Sequence, residues 1–282
     1  MLLGKLVKSI LLIYVIAVAA LPAFSGLNRE TKPIQDQDDE QVRIILRALS
    51  RNVMTFKSSL PDFVCQEELA QEITAADGKI EEKKVIKSSL TGRQHKEQTR
   101  AGSVYDFEEN REISSINGKK PPAPSKVPPP YLSGSFSSIL LSHFAVSSLP
   151  EFEWSLERSD AQINGRMCFV LRFVPSEARN RQIYRYDEKE YESRRTGRAF
   201  VDKEAMQVVR IEFAEGVLPD ALAEWHSSVD YAPVRLDNDQ FWLPISATTT
   251  LREKKSGRKL QAVHHFTDYK RFTGSIKLED RP

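Results

Sequence analysis

From Asp36 to Lys57 the apolar residues Val42, Ile45, Leu46, Leu49, Val53 and Phe56 recur at the i, i+3, i+4, i+7 spacing that predicts one buried helix face. Asp36, Asp38, Asp39 and Glu40 crowd the start, where negative charge suits the helix dipole. Arg43, Arg47 and Arg51 form a stripe elsewhere on this helix and read as a solvated face. Leu60-Pro61-Asp62 ends it, and from Phe63 the period changes to two. Phe63, Cys65, Leu69 and Ile73 share one strand face, and Asp77-Gly78 signals a hairpin into Lys79–Leu90. Ser103–Ser115 reads as a third strand, closed by Asn117-Gly118. Lys119–Pro130 carries Pro121, Pro122, Pro124, Pro128, Pro129 and Pro130 and reads as a stiff surface loop. Gly134–Val146 is expected as a second short helix, with Phe136, Ile139, Leu140 and Phe144 on one side and Pro150 beyond it.

The rest alternates as strands: Phe152–Arg158, Met167–Val174 after an Asn164-Gly165 turn, Ile183–Tyr191, Thr196–Asp202 and Gln207–Ala214. Trp225–Val234, Phe241–Arg252, Lys259–Phe272 and Ile276–Leu278 follow. Successive strands joined by short turns imply an antiparallel meander. The expected fold is therefore mainly β with two helices, a long meander curved into a half-barrel that the helices cover. Two helices are a thin cover for roughly ten strands, so apolar space is expected on the concave side. Candidates to line it are Phe169, Leu171, Phe173, Val209, Ile211, Phe213, Trp225, Tyr231 and Trp242, with Val209, Ile211 and Phe213 all read as inward.

The N-terminus has a different pattern. Lys5 and Lys8 precede an apolar run from Ile10 to Ala20, then Leu21, Pro22 and the small-residue pattern Ala23-Phe24-Ser25 before Gly26. This is the layout of a secretory signal peptide over residues 1–25. The run falls short of the about 20 residues that span a bilayer. The alternative is an uncleaved tether at the inner membrane. Residues 26–35 read as a flexible segment and 36–282 as a single β-rich domain, exported to the periplasm. The chain has 41 basic and 39 acidic residues, and loss of Lys5 and Lys8 with the signal leaves 39 of each. Such neutrality argues against nucleic acid as a partner. Two cysteines, Cys65 and Cys168, suggest one disulfide in an oxidising compartment, closing a loop of about 100 residues worth about 4.7 kcal/mol by chain entropy. Two buried free thiols are the alternative.

No nucleophile elbow, zinc-protease helix, P-loop or dinucleotide fingerprint occurs. His264 and His265 are neighbours on a strand and must face opposite ways. The pairs Glu67-Glu68, Glu81-Glu82 and Glu108-Glu109 read as solvated surface charge, and Arg179–Arg198 as a mixed-charge surface hairpin. No catalytic, cofactor-binding or metal-ligating set is expected, so the chain reads as a non-enzyme.

The element order and several strand phrases resemble a known group. Asn164-Gly165-Arg166-Met167-Cys168-Phe169-Val170-Leu171-Arg172-Phe173-Val174-Pro175, then Ala199-Phe200-Val201-Asp202-Lys203-Glu204-Ala205-Met206-Gln207-Val208-Val209-Arg210-Ile211, then Phe241-Trp242-Leu243-Pro244 and Phe266–Phe272, are similar to strands of the periplasmic lipoprotein-carrier fold. That fold is shared by lipoprotein-sorting proteins and related envelope-stress regulators. The resemblance implies an incomplete barrel closed by helices, acyl chains held in its concave face, and no catalytic residues. Lipid, an acyl chain or a lipidated envelope protein would then be the partner, with a membrane surface nearby. The alternative is a fully packed interaction module or a membrane-tethered sensor that binds another envelope protein. A longer proline loop and the polar 176–198 segment depart from the group's pattern.

Overall fold

A computed structural model of the chain describes residues 34–99, 102–121, 138–177, 183–186 and 189–272. The expected signal over residues 1–25, residues 26–33, Pro122–Pro130 of the proline-rich stretch, residues 134–137 of the expected second helix and the expected Ile276–Leu278 strand lie outside the described residues. Helix α1 spans Ile34–Ser59. Strands β1 (Phe63–Thr74), β2 (Ile80–Thr99) and β3 (Gly102–Ile116) follow it. Helix α2 (Ser138–Phe144) and a 3-10 turn over Leu149–Glu151 precede β4 (Phe152–Ile163) and β5 (Arg166–Pro175). Next come β6 (Ile183–Tyr186), β7 (Lys189–Glu192), β8 (Thr196–Asp202) and β9 (Val208–Ala214). Strands β10 (Leu222–Leu236), β11 (Asp239–Glu253) and β12 (Lys259–Arg271) complete the described chain.

Ten strands form one antiparallel sheet in the order β3-β2-β1-β12-β11-β10-β9-β8-β5-β4, and β6-β7 pair as a separate hairpin. The meander is therefore cut in two. The first strand pairs with the last, Leu69 opposite His264, and this joins the β1–β3 arm to the β4–β12 arm. The connection carrying the proline-rich stretch and α2 leads from edge strand β3 to the opposite edge strand β4. β3 and β4 do not pair, so the curved sheet stays open as a half-barrel. Bulges sharpen the bend. Asp268, at φ 53°, sits where β12 carries an extra residue against β1. The Asn-Gly pairs turn as their chemistry requires: Asn117/Gly118 at φ 49°/75° and Asn164/Gly165 at 49°/77°.

One face of the sheet is covered by the helices. Val42, Ile45, Leu49 and Val53 of α1 and Ile139, Leu140 and Phe144 of α2 share one core with Phe63, Phe173, Ile211, Tyr231 and Phe266. Burying each such aliphatic side chain contributes about 1.5–3 kcal/mol. Polar ties fix α1 over the sheet. Asn52 Nδ2 donates to the Met206 carbonyl at 2.6 Å, and Gln94 Nε2 of β2 donates to the Lys57 carbonyl at 2.7 Å. A Cβ on Gly92 would meet the Phe107 and Phe63 rings at 2.4 and 2.5 Å, so glycine is what lets these rings stack across β2, 5.7 Å apart.

The expected disulfide is not formed: Cys65 and Cys168 are both free and buried. Five strands separate β1 from β5. The thiols also face opposite ways. Cys65 belongs to the helix-covered core, whereas Cys168 packs with Ala161, Val170 and Val209 on the other side. Burial pushes the Cys65 thiol up to about 12, with the nearby Glu67 charge adding to the shift. Both thiols should therefore titrate with a thiol reagent after unfolding without reductant, and reductant should leave the thermal midpoint unchanged. A Cys65–Cys168 peptide in a non-reducing map would overturn this.

Candidate functional site

The helix-covered concave face is where the sequence placed a ligand. Phe169, Leu171 and Phe173 line it from β5, opposite Val201, Ala199 and Gly197 of β8. Ile211, Phe213 and Tyr231 join the same core. Val209 does not. A bulge pairs Val201 with Val208 and leaves Val209 as the extra residue, which reverses its side. It packs outside with Cys168 and Val170, so the inward reading of Val209 is corrected. Trp225 belongs to a third cluster with Tyr184, Leu222 and Leu251, where the β6–β7 hairpin lays Tyr184 edge-on to it at 5.1 Å. Trp242 touches both the inner core and the outer cluster.

Among the described residues the side chains of the concave face are packed into one buried core. A crevice of about 130 Å³ remains where α1 and α2 meet the sheet, lined by Val53, Phe56, Leu140, Phe241 and Trp242 with Asn52 and Gln207 beside them. Small-molecule sites usually measure about 300–1,000 Å³. The crevice is therefore the seam of a closed cover.

The second feature of this face is charged. Glu67, buried on β1, accepts three hydrogen bonds of 2.8 Å: from Ser88 Oγ and Arg111 Nε at Oε2, and from His264 Nδ1 at Oε1. Glu109 lies 3.7 Å from Arg111. Burial alone would raise the Glu67 carboxyl, but the His264 bond and the Arg111 charge outweigh it and bring it down to about 2. The reading of Glu67 and Glu109 as solvated is thus corrected. Glu67 and Glu109 face inward while Glu68 and Glu108 do not, and Glu81 and Glu82 are both exposed; the alternation shows it, since Glu67 has the phase of Phe63, Cys65 and Leu69. Ser88 donates to the carboxylate and not to His264, so this is no nucleophile–base pair. His264 Nε2 and Arg111 Nη2 are buried and meet no hydrogen-bond partner among the described residues. No group of His, Cys, Asp and Glu among those residues is arranged to hold a metal ion.

A further buried polar set lies under α2. Glu215 accepts from Arg195 Nε at 2.6 Å and Ser193 Oγ at 2.9 Å, and the Arg195 guanidinium stands 4.8 Å over the Phe213 ring. His143 stacks on Phe152 at 5.1 Å and donates Nδ1–H to the Ile139 carbonyl. Burial first, and the Arg195 charge second, push it down to about 3.

No family model matches the sequence, and no curated protein matches it. Among solved structures the chain is similar to a DUF1329 family protein from Desulfovibrio piger, at 12% identity and a TM-score of 0.40, over 85% of this chain and 95% of that one. It is also similar to a LolA superfamily protein from Nitrosomonas europaea, at 12% identity and a TM-score of 0.35, over 85% and 97% of the two chains. The likeness is coarse, since neither TM-score reaches one half.

Removing Glu67 takes from buried Arg111 its hydrogen-bonded carboxylate and leaves only the looser Glu109 at 3.7 Å, so Glu67→Ala should cost about 3 kcal/mol in chemical denaturation at neutral pH. The folded carboxyl lies below its ordinary 4.5, so its contribution is full above that pH and is lost as pH falls toward about 2; the variant should lack this loss. His143 gives a second acid limb. Between pH 6.5 and about 3 the unfolded chain binds a proton that folded His143 refuses, so stability falls as pH drops through that window. His143→Phe should flatten the profile there by up to one proton, about 1.4 kcal/mol per pH unit, and an unchanged slope would refute the assignment.

Proposed function

We propose that this chain is an exported, non-enzymatic binding protein of the cell envelope that holds a lipid, an acyl chain or a lipidated protein against its concave face. The observation that carries the reading is the seam itself. An open half-barrel presents an apolar face, and only α1 and the seven-residue α2 cover it among the described residues. Moving the α2 side off Phe241 and Trp242 would turn a crevice into a groove. Each methylene then buried would contribute about 0.8 kcal/mol. The signal-like residues 1–25 support export, and among the described residues no helix is long and apolar enough to cross a membrane.

One observation favours a second reading. The crevice of about 130 Å³ is too small for an acyl chain as it stands, which suits a fully packed module that binds another envelope protein. The two readings part in one experiment. The full-length gene product, purified from the host, is analysed by native mass spectrometry with solvent extraction, then titrated with a fluorescent fatty acid. The carrier reading expects bound or incorporated acyl ligand and at least a ten-fold loss of affinity in Leu140→Trp, which fills the seam. No uptake at any concentration leaves the packed module. The N-terminus of the same preparation tells a mobile carrier, beginning at Gly26, from a tethered protein that keeps residues 1–25.

A further inference from the structure

A roomier depression, of about 460 Å³, lies on the opposite face of the sheet, with Gly197 and Phe213 of the inner side reaching its lining. Strand register builds it. On β8 and β9, Arg198 and Glu212 alternate with Ala199 and Ile211, which face the core, so they point outward. One cross-strand row runs Arg172, Arg198, Glu212, Ser228, Thr248 through β5, β8, β9, β10 and β11. The next runs Thr196, Ala214, His226, Thr250. The floor is made of short side chains and the walls of long ones. At about 4.8 Å between strands, the first row extends about 19 Å, which suits a short chain rather than a single ion.

Two details point to the occupant. Arg172 and Arg198 stand directly opposite each other, an arrangement that like charges disfavour. Arg198 is committed to Glu157, whose carboxylate accepts its Nε–H at 2.7 Å, and Glu212 lies 3.8 Å away. Arg172 donates no hydrogen bond to a described side chain; its charge acts on Glu157 without a direct bond, and its exposed planar fork stands beside the groove. Beside it lie one carboxylate, one exposed imidazole and four hydroxyls, from Thr196, Ser228, Thr248 and Thr250. Groups that both donate and accept match a chain of hydroxyls. The exposed, unbonded guanidinium matches one carboxylate on that chain, and the local balance of two arginines with Glu157 and Glu212 disfavours a dense polyanion.

We infer that this outer groove binds a short acidic oligosaccharide, with its uronate carboxylate on Arg172 and its hydroxyls along the Ser228–Thr248 and His226–Thr250 pairs. The inference is independent of the concave-face reading. The test titrates the full chain by calorimetry with tetragalacturonate, with inorganic phosphate and neutral maltotetraose as the other arms. Tetragalacturonate should bind. Arg172→Gln should weaken it ten-fold or more, and Thr248→Arg, which blocks the trough, should abolish binding. Both substitutions lie on the outer face, and an unchanged thermal midpoint verifies that each variant is folded. Absence of binding to the wild type overturns the inference. So does phosphate binding as tightly as tetragalacturonate, or a response indifferent to Thr248→Arg. Equal affinity for maltotetraose overturns the role given to Arg172.

Discussion

An open sheet with an apolar concave face cannot stand alone in water, and packing of α1 into that face is the contact on which the rest depends. β3 and β4 end the sheet without meeting. The hollow between these edges must be filled, and Val42, Ile45, Leu49 and Val53 fill it along one helix stripe. The same packing decides how much room a ligand finds. It also sets the dielectric around the charges inside. Glu67, Arg111 and His264 are expensive there, and each is held by another, so the network is costly to break but does not by itself make the fold stable. Its one firm consequence is register: a slip of one residue in β1 would turn Glu67 to the outside and Glu68 to the core.

Much of this architecture is legible in the chain's periodicity. The change of period at Leu60 marks the end of α1, and Asn117-Gly118 and Asn164-Gly165 turn where their backbone preferences require. What alternation cannot show is where it breaks. Val209 sits at a bulge, and one extra residue sends it outward although its neighbours suggest otherwise. Strand order is hidden for a related reason. Local turns specify neighbours in sequence, whereas the pairing of β1 with β12 is made by two segments nearly 200 residues apart, as in the Glu67–His264 bond. The cysteine reading failed on the same point, because an even count says nothing about which face each thiol takes. Glu67 was readable in principle, since it holds an inward phase. Carboxylates usually stay outside, and Glu67 departs from that habit because Arg111, His264 and Ser88 meet it inside.

The two faces of the sheet solve different problems. The inner face reaches any ligand only by moving a helix, and the outer groove is open already. They are coupled through β8 and β9. Gly197, whose Cβ would lie 2.0 Å from the Glu212 carbonyl and 2.8 Å from the Phe173 ring, places groove backbone directly behind the inner aromatic core. A change in the spacing of these strands would be felt on both sides, since packed interiors transmit strain.

The cost of uncovering the inner face is uneven, and this gives the helix cover a physical way to move. Water reaching Phe173 or Tyr231 would forfeit their burial. Water reaching His264 Nε2 and Arg111 Nη2 would instead supply partners they lack, and each buried unpaired polar atom costs about 1–3 kcal/mol. Both atoms lie on the strand face shared with Phe266, which packs in the core that α1 completes. α1 contributes no bond to the Glu67 network, so its departure leaves Glu67, Ser88, Arg111 and His264 joined. Among the described residues, the ties that would break include the side-chain-to-carbonyl bonds from Asn52 and Gln94. Among the described residues the cover is held by apolar contact and these two bonds, over a face whose unpaired polar atoms hydration would partly relieve.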